Sequence, residues 1–186
     1  MPDPIQQLRA EHANMAQLLD LLESQIGLFH EGAQTDYELM LDIVYYLTNF
    51  PDQFHHRIED AAFAKLAERD PSVRPEVNRL LGEHHVLAAS GKQLLERLEA
   101  VVNGTVTTRE AIEVPAATYV SFYRHHLNRE EVDLFFRAER LLGPEDWKAV
   151  RSAVGRETDP LFGGQVEQRF KALRQQIETI GAGTTR

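Results

Sequence analysis

From Ile5 to Leu28 the apolar residues Ile5, Leu8, Met15, Leu18, Leu19, Leu22 and Ile26 recur at three- and four-residue steps, the period of an amphipathic helix. Gly27 and Gly32 mark its exit, and Thr35-Asp36 reads as the N-cap region of a second helix running from about Tyr37 to Glu68. A third starts near Pro75 and passes through Leu80, Leu81, His84, Leu87, Leu94, Leu95 and Leu98 to Val102, where Asn103-Gly104 supplies a C-cap. A fourth is expected from Thr107-Thr108 to the stop at Gly143-Pro144, followed by a short helix from Glu145 to Gly155 and a longer one from Gln165 to Ile180, with the tail from Gly181 frayed. Pro51 falls inside the second helix, where it removes a backbone bond and clashes with the carbonyl of Leu47, so a kink is expected one turn before His55. Pro115 should bend the fourth helix or delay its regular part. No strand periodicity is present, and the chain reads as all-α.

At 186 residues the chain is long enough for one domain with a real core. The pattern divides it into a bundle of four helices over residues 1–143 and a helical extension over 144–186 packed on that bundle. No apolar run approaches the ~18 residues of a membrane span, and Met1-Pro2-Asp3-Pro4 does not resemble a signal peptide, so a cytoplasmic location and no membrane partner are expected. A net charge of −9 argues against nucleic acid as a partner, because phosphate binding needs clustered Lys and Arg. With no cysteine, any metal has to be held by nitrogen and oxygen.

The chemistry lies in a motif that occurs twice. His55-His56-Arg57-Ile58-Glu59-Asp60 is followed 71 residues later by His126-Leu127-Asn128-Arg129-Glu130-Glu131. In both, a histidine precedes a glutamate by four positions, which puts the two side chains on one helical face. Leu8-Arg9-Ala10-Glu11-His12 similarly matches Leu80-Leu81-Gly82-Glu83-His84 at an offset of 72. The chain thus reads as a duplicated helical hairpin, and two such hairpins pack most simply as a pseudo-two-fold bundle, with each helix delivering a histidine to one level. A lone histidine on an apolar face is ordinarily a hydrogen-bonded core residue, and a lone His–Glu pair an exposed contact. The conjunction changes that balance. Burying four imidazoles and two carboxylates without a cation is costly, and a metal site removes the cost.

These elements, in the order His, His-His-x-x-Glu-acid, Glu-His, His-x-x-x-Glu-Glu over about residues 5 to 142, resemble the hemerythrin-like family of HHE cation-binding domains. The resemblance implies an up-down four-helix bundle around a non-haem di-iron centre with a bridging oxo or hydroxo group. Its implied ligands are His12, His55, Glu59, His84, His126 and Glu130. Together with the bridge they would fill about ten of the roughly twelve positions of two octahedral ions, leaving room for dioxygen, nitric oxide or peroxide. Imidazole and carboxylate also suit zinc or manganese, so iron follows from the resemblance and not from the ligand types. The family's Leu-Phe after the acid pair appears as Leu134-Phe135 but as Phe63-Ala64 in the other copy. Oxygen-carrying hemerythrins have a further histidine one turn from the ligand in their third helix. Here those positions are Leu80 and Ala88, which argues against simple reversible oxygen carriage.

His125 is an alternative to His126 at a five-residue spacing from Glu130, while His56 and His85 read as outer-sphere or surface groups and His30 as a surface residue. Tyr119 and Tyr123 share the face of His126, either near the ligand or as core residues, and Trp147 should pack the short fifth helix onto the bundle. Asp60 and Glu131 should make outer contacts or face solvent, and Asp159-Pro160-Leu161-Phe162-Gly163 has no assigned role. Three functions follow: binding or sensing of small oxidants or iron, redox catalysis on peroxide or nitric oxide, and a metal-free helical interaction module. A ferritin-like site fits poorly, because it needs Glu-x-x-His where this chain has His-x-x-x-Glu.

Overall fold

The computed structural model describes residues 4–31, 33–154 and 158–183. Its helices are α1 (Pro4–His30), α2 (Tyr37–Phe50), α3 (His56–Arg69), α4 (Arg74–Val102), α5 (Glu110–Arg129), α6 (Phe136–Leu141), α7 (Pro144–Val154) and α8 (Lys171–Gly183). A π-helical turn, Pro51–His55, joins α2 to α3, and a second, Glu130–Phe135, joins α5 to α6. Four rods result. α1 packs against α2 and α5, and α4 packs against the same two, which closes a four-helix bundle with α1 and α4 on one diagonal. Neighbouring rods are antiparallel: along α1, Arg9 meets Glu139 (3.5 Å) whereas Asp20 meets Arg124 (2.6 Å). Among the described residues no helix is long and apolar enough to cross a membrane.

Local chemistry explains the boundaries. Asp36 caps α2 by accepting from the Leu39 amide at 2.9 Å. Gly104, at φ 88°, occupies the left-handed position that ends α4, with the Thr105 amide bonding to the Ala100 carbonyl and the Gly104 amide to Val101, the paired bonds of a Schellman turn. Pro51 does not break its rod. The chain widens into a π turn in which the His56 amide reaches five residues back to the Pro51 carbonyl. Just upstream, Thr48 Oγ1 and Asn49 Nδ2 donate to the carbonyls of Val44 and Tyr45, both at 2.8 Å. α5 runs through Pro115 without interruption, and the carbonyl four residues before it, Ala111, accepts from Arg97 Nη1 at 2.9 Å. α5 also begins later than the Thr107-Thr108 signal.

The core forms two clusters. One holds the inward residues of the α1 C-terminal half, α2, the α4 C-terminal half and α5, including Met15, Leu18, Leu22, Met40, Leu94 and Tyr123. The other holds Ile5, Leu8, Phe63, Leu66, Leu80, Leu134, Phe135 and Ala138 together with Trp147 and Val150, so Trp147 does lock α7 onto the bundle. Beyond α7 the expected helix over Gln165–Ile180 starts late. Asp159 Oδ1 accepts from the amides of Leu161 and Phe162, both at 2.8 Å, and Glu167 N bonds to the Pro160 carbonyl, holding a turn until Gln168–Phe170 enters a 3₁₀ segment. Asp159 Oδ2 also accepts from the buried Tyr46 hydroxyl at 2.9 Å, and Leu161 is fully buried; the motif with no assigned role pins the extension to α2. α8 continues through Gly181 to Gly183, while residues 184–186, Gly155 and Gly32 lie outside the described set.

The rods approach closely at Gly91: a Cβ there would lie 2.4 Å from Thr48 Cγ2 and 3.0 Å from the Tyr119 hydroxyl, whereas a Cβ on Gly82 would meet nothing within 4 Å. Gly91→Ala is therefore expected to destabilise by about 1–3 kcal/mol through overpacking, despite the better helix propensity of alanine. Gly82→Ala is expected to stabilise by roughly 0.8–1 kcal/mol. Denaturant unfolding of the two variants at fixed metal content checks the opposite signs.

Candidate metal centre

The six residues singled out in the sequence converge between the two apolar clusters. His12 comes from α1, flanked by Leu8 on one side and Met15 on the other. His55 ends the first π turn, Glu59 sits one turn into α3, His84 comes from α4, His126 from α5, and Glu130 opens the second π turn. All six are buried, and Glu59, His126 and Glu130 have no exposed surface. Glu59 Oε1 lies 3.1 Å from His12 Nε2 and 3.0 Å from His55 Nε2, and Glu59 Oε2 lies 3.6 Å from His84 Nε2. Glu130 Oε2 is 3.5 Å from His12 Nε2 and 3.3 Å from His126 Nε2, and Glu130 Oε1 is 3.3 Å from His84 Nε2. Each carboxylate thus spans the centre and meets three imidazoles.

A second ring of carboxylates holds the other side of each imidazole. The Nδ1 of His12 faces Glu131 Oε1 (3.1 Å), that of His55 faces Glu11 Oε2 (2.7 Å), that of His84 faces Asp60 Oδ1 (2.8 Å), and that of His126 faces Glu83 Oε2 (3.1 Å). With a cation bound, an acceptor on Nδ1 would keep the proton there and leave the Nε2 lone pair facing inward, the arrangement that orients and strengthens histidine ligands. Glu83 is itself held by Arg129 Nη1 at 3.0 Å.

The electrostatics fit a cation site. Six carboxylates surround the four imidazoles, with Arg129 on Glu83. Burial alone would lower the histidine pKa values, but Glu59 and Glu11 outweigh it at His55, pushed up to about 10, and Asp60 and Glu130 do the same at His84, also pushed up to about 10. His12 is raised despite its burial by Glu131 and Glu59. At His126 burial wins over Glu130, and its pKa falls to about 4. Burial opposes ionisation of Glu59, yet His55 and His12 hold its carboxyl well below the usual range. His12 Nε2 and His84 Nε2 hydrogen-bond to Glu59 Oε1 and Glu130 Oε1, but His55 Nε2, His126 Nε2, Glu59 Oε2 and Glu130 Oε2 have close neighbours and no hydrogen bond. Fully buried polar atoms that converge without bonding to one another fit ligands around a shared cation better than a closed hydrogen-bond network.

The duplication extends to the outer ring, where Glu11 corresponds to Glu83 and Asp60 to Glu131. The Glu-His dipeptide repeated in both halves was the available signal for Glu11 and Glu83, which the sequence reading left without a role. It also left His56 outside the site. The structure buries His56 at 3 % exposure and places it with Glu59, His84 and His126, all four ligand atoms lying within 4.8 Å of one another; His12, His55 and Glu59 form a second such group. His125 is exposed, so His126 is the residue at the cluster. His85 is exposed with Nδ1 2.7 Å from the Leu81 carbonyl; the side chain of His30 lies outside the described residues. Tyr123 is buried 6.5 Å, ring to ring, from His126, and its hydroxyl donates to Met15 Sδ at 3.2 Å; Tyr119 packs edge-on against it.

Residues 3–138 match the hemerythrin HHE cation binding domain family. No curated protein and no solved structure gives a significant match to the chain.

Glu11→Gln and Asp60→Asn preserve shape but weaken the acceptor on Nδ1 of His55 and His84. Each is expected to lower cation affinity by about 10–100-fold while leaving helix content unchanged. Competition against a chelator of known affinity, alongside circular dichroism, measures both.

Proposed function

Starting from the fact that this chain belongs to the hemerythrin HHE cation-binding domain family, we propose that it is a di-iron protein that binds small oxidants or nitric oxide at a buried centre. One observation carries this reading: the two candidate metal groups, His12 with His55 and His84 with His126, share Glu59. The oxygens of Glu59 divide between them, Oε1 toward His12 and His55 and Oε2 toward His84. Glu130 adds a second carboxylate between the same halves. A donor set of imidazole nitrogen and carboxylate oxygen, without sulfur, suits iron and also zinc or manganese, and family membership favours iron.

The chain's own residues set what reaches the centre. The two apolar clusters close it from both ends of the bundle, and Phe135 stacks on His12 with ring centroids 4.9 Å apart. A site this buried admits molecules of a few atoms and excludes larger substrates. Bound iron supplies a redox couple and a coordination position for such a molecule; the protein holds the imidazoles in one tautomer and keeps bulk water out. A metal-free interaction module called for exposed His–Glu pairs, and both pairs are buried. Turnover of peroxide or nitric oxide at the same centre is the second reading, separated from binding by experiment.

Protein expressed with ample iron is expected to carry about two ions per chain. Iron-free protein after such expression would overturn the reading. Saturating iron at about 100-fold above its Kd adds about 2.7 kcal/mol per site, so loaded protein should melt several degrees above chelated protein. His12→Ala and Glu59→Ala are expected to abolish most of that gain, because binding and folding are linked. Stable visible-absorption changes on adding dioxygen, peroxide or nitric oxide indicate binding, whereas transient changes with consumption of the added molecule indicate catalysis.

A further inference from the structure

We propose that Met15 is an oxygen-accepting modification site beside the centre: hydrogen peroxide held there transfers one oxygen to the Met15 thioether. The proposed site depends on the two-ion, small-oxidant reading above and names the protein group that such an oxidant meets. Met15 follows His12 by three residues, so it lies on the same face of α1 about 4.5 Å further along the axis. Tyr123 precedes His126 by three residues on α5, which runs antiparallel to α1. The two side chains therefore sit at one level, and the Tyr123 hydroxyl donates to Met15 Sδ at 3.2 Å. The Tyr123 ring lies 6.5 Å from that of His126 and 6.3 Å from that of His56. Sulfur and phenol thus occupy the layer of the apolar cluster next to the centre.

Met40 supplies an internal comparison. It belongs to the same cluster and is as deeply buried as Met15. It precedes His55 by 15 residues, however, which puts it about 20 Å away along its rod. Burial protects both thioethers alike, and nearness to the centre separates them. Packing does not demand sulfur at the Met15 level either. The repeat-equivalent of Met15 is Leu87, three residues after His84 and just as buried, so the fold fills the corresponding position with an aliphatic chain.

The reaction balances within the two partners. A sulfur lone pair attacks one peroxide oxygen, the O–O bond breaks, and the departing hydroxide takes the proton of the transferred oxygen and leaves as water. Sulfur is oxidised by two electrons and peroxide is reduced by two. The product, methionine sulfoxide, is polar where the thioether was apolar, and a buried acceptor needs a donor. At Met15 that donor is already in place as the Tyr123 hydroxyl, which would pass from a weak thioether acceptor to a stronger sulfoxide oxygen.

The test uses the full chain loaded with ferrous iron, freed of unbound metal and treated with hydrogen peroxide. Peptide mass spectrometry follows sulfoxide at each methionine. Met15 is expected to oxidise at least about 10-fold faster than Met40, and most of that ratio should vanish in chelated, metal-free protein. Oxidised Tyr123→Phe, whose sulfoxide has lost its donor, is expected to melt further below its own unoxidised form than oxidised wild type does below its own. Equal rates at Met15 and Met40 in the iron-loaded chain would overturn the proposed site and leave the two-ion reading standing. A Met15 preference of the same size without metal would overturn it as well, by placing the cause in access alone. Equal melting shifts in wild type and Tyr123→Phe would overturn the part given to Tyr123. If the chain takes up no iron, the two-ion reading falls and the proposed site with it.

Discussion

The constraint on which this structure turns is the complete burial of two carboxylates, Glu59 and Glu130, in the middle of a helical bundle. Removing a carboxylate from water costs several kcal/mol even after relaxation, and the surrounding architecture is organised to offset that cost. Four rods each bring an imidazole to the same level. Apolar clusters on both sides seal that level from solvent, so the polar layer is also what divides the core. The attraction between the carboxylates and the imidazoles is strong because the surroundings are dry, and for the same reason an unpartnered group there would be expensive.

The outer ring completes the arrangement. Glu131, Glu11, Asp60 and Glu83 fix the Nδ1 sides of His12, His55, His84 and His126, so that each of these four imidazoles is held from behind by a carboxylate. These outer acids are partly exposed at Asp60 and Glu131 and more sheltered at Glu11 and Glu83. The inner imidazoles therefore lie between two layers of carboxylates, an arrangement that fits a cation site. Duplication makes the pattern nearly two-fold. The two π turns fall at positions that are not repeat-equivalent, and His56 faces Leu127 in the repeat, so the halves differ where the backbone departs from a regular helix.

Much of this was legible in the order of residues, and the departures have identifiable causes. Apolar period located the four rods, because burying one face is the only way for such helices to leave water. Pro51 marked a break, yet the chain passes it in π geometry without ending the rod. The second π turn carries no proline and no other local signal. The late start of α8 follows from Asp159, whose carboxylate holds a turn that propensity alone would not show.

For the centre, a four-residue spacing was sufficient to pair His55 with Glu59 and His126 with Glu130, since spacing along a helix is a local property. Which neighbour of an adjacent histidine pair turns inward is not local. His126 is buried and His125 exposed because of how α5 sits against α1 and α4. His55 and His56 are both buried because three rods and a widened turn surround them. The chain by itself determined helices, their inward stripes and the donor types available to a cation. Only tertiary packing decided which donors meet, since that depends on rotation and register between rods, and no short stretch of sequence encodes either one.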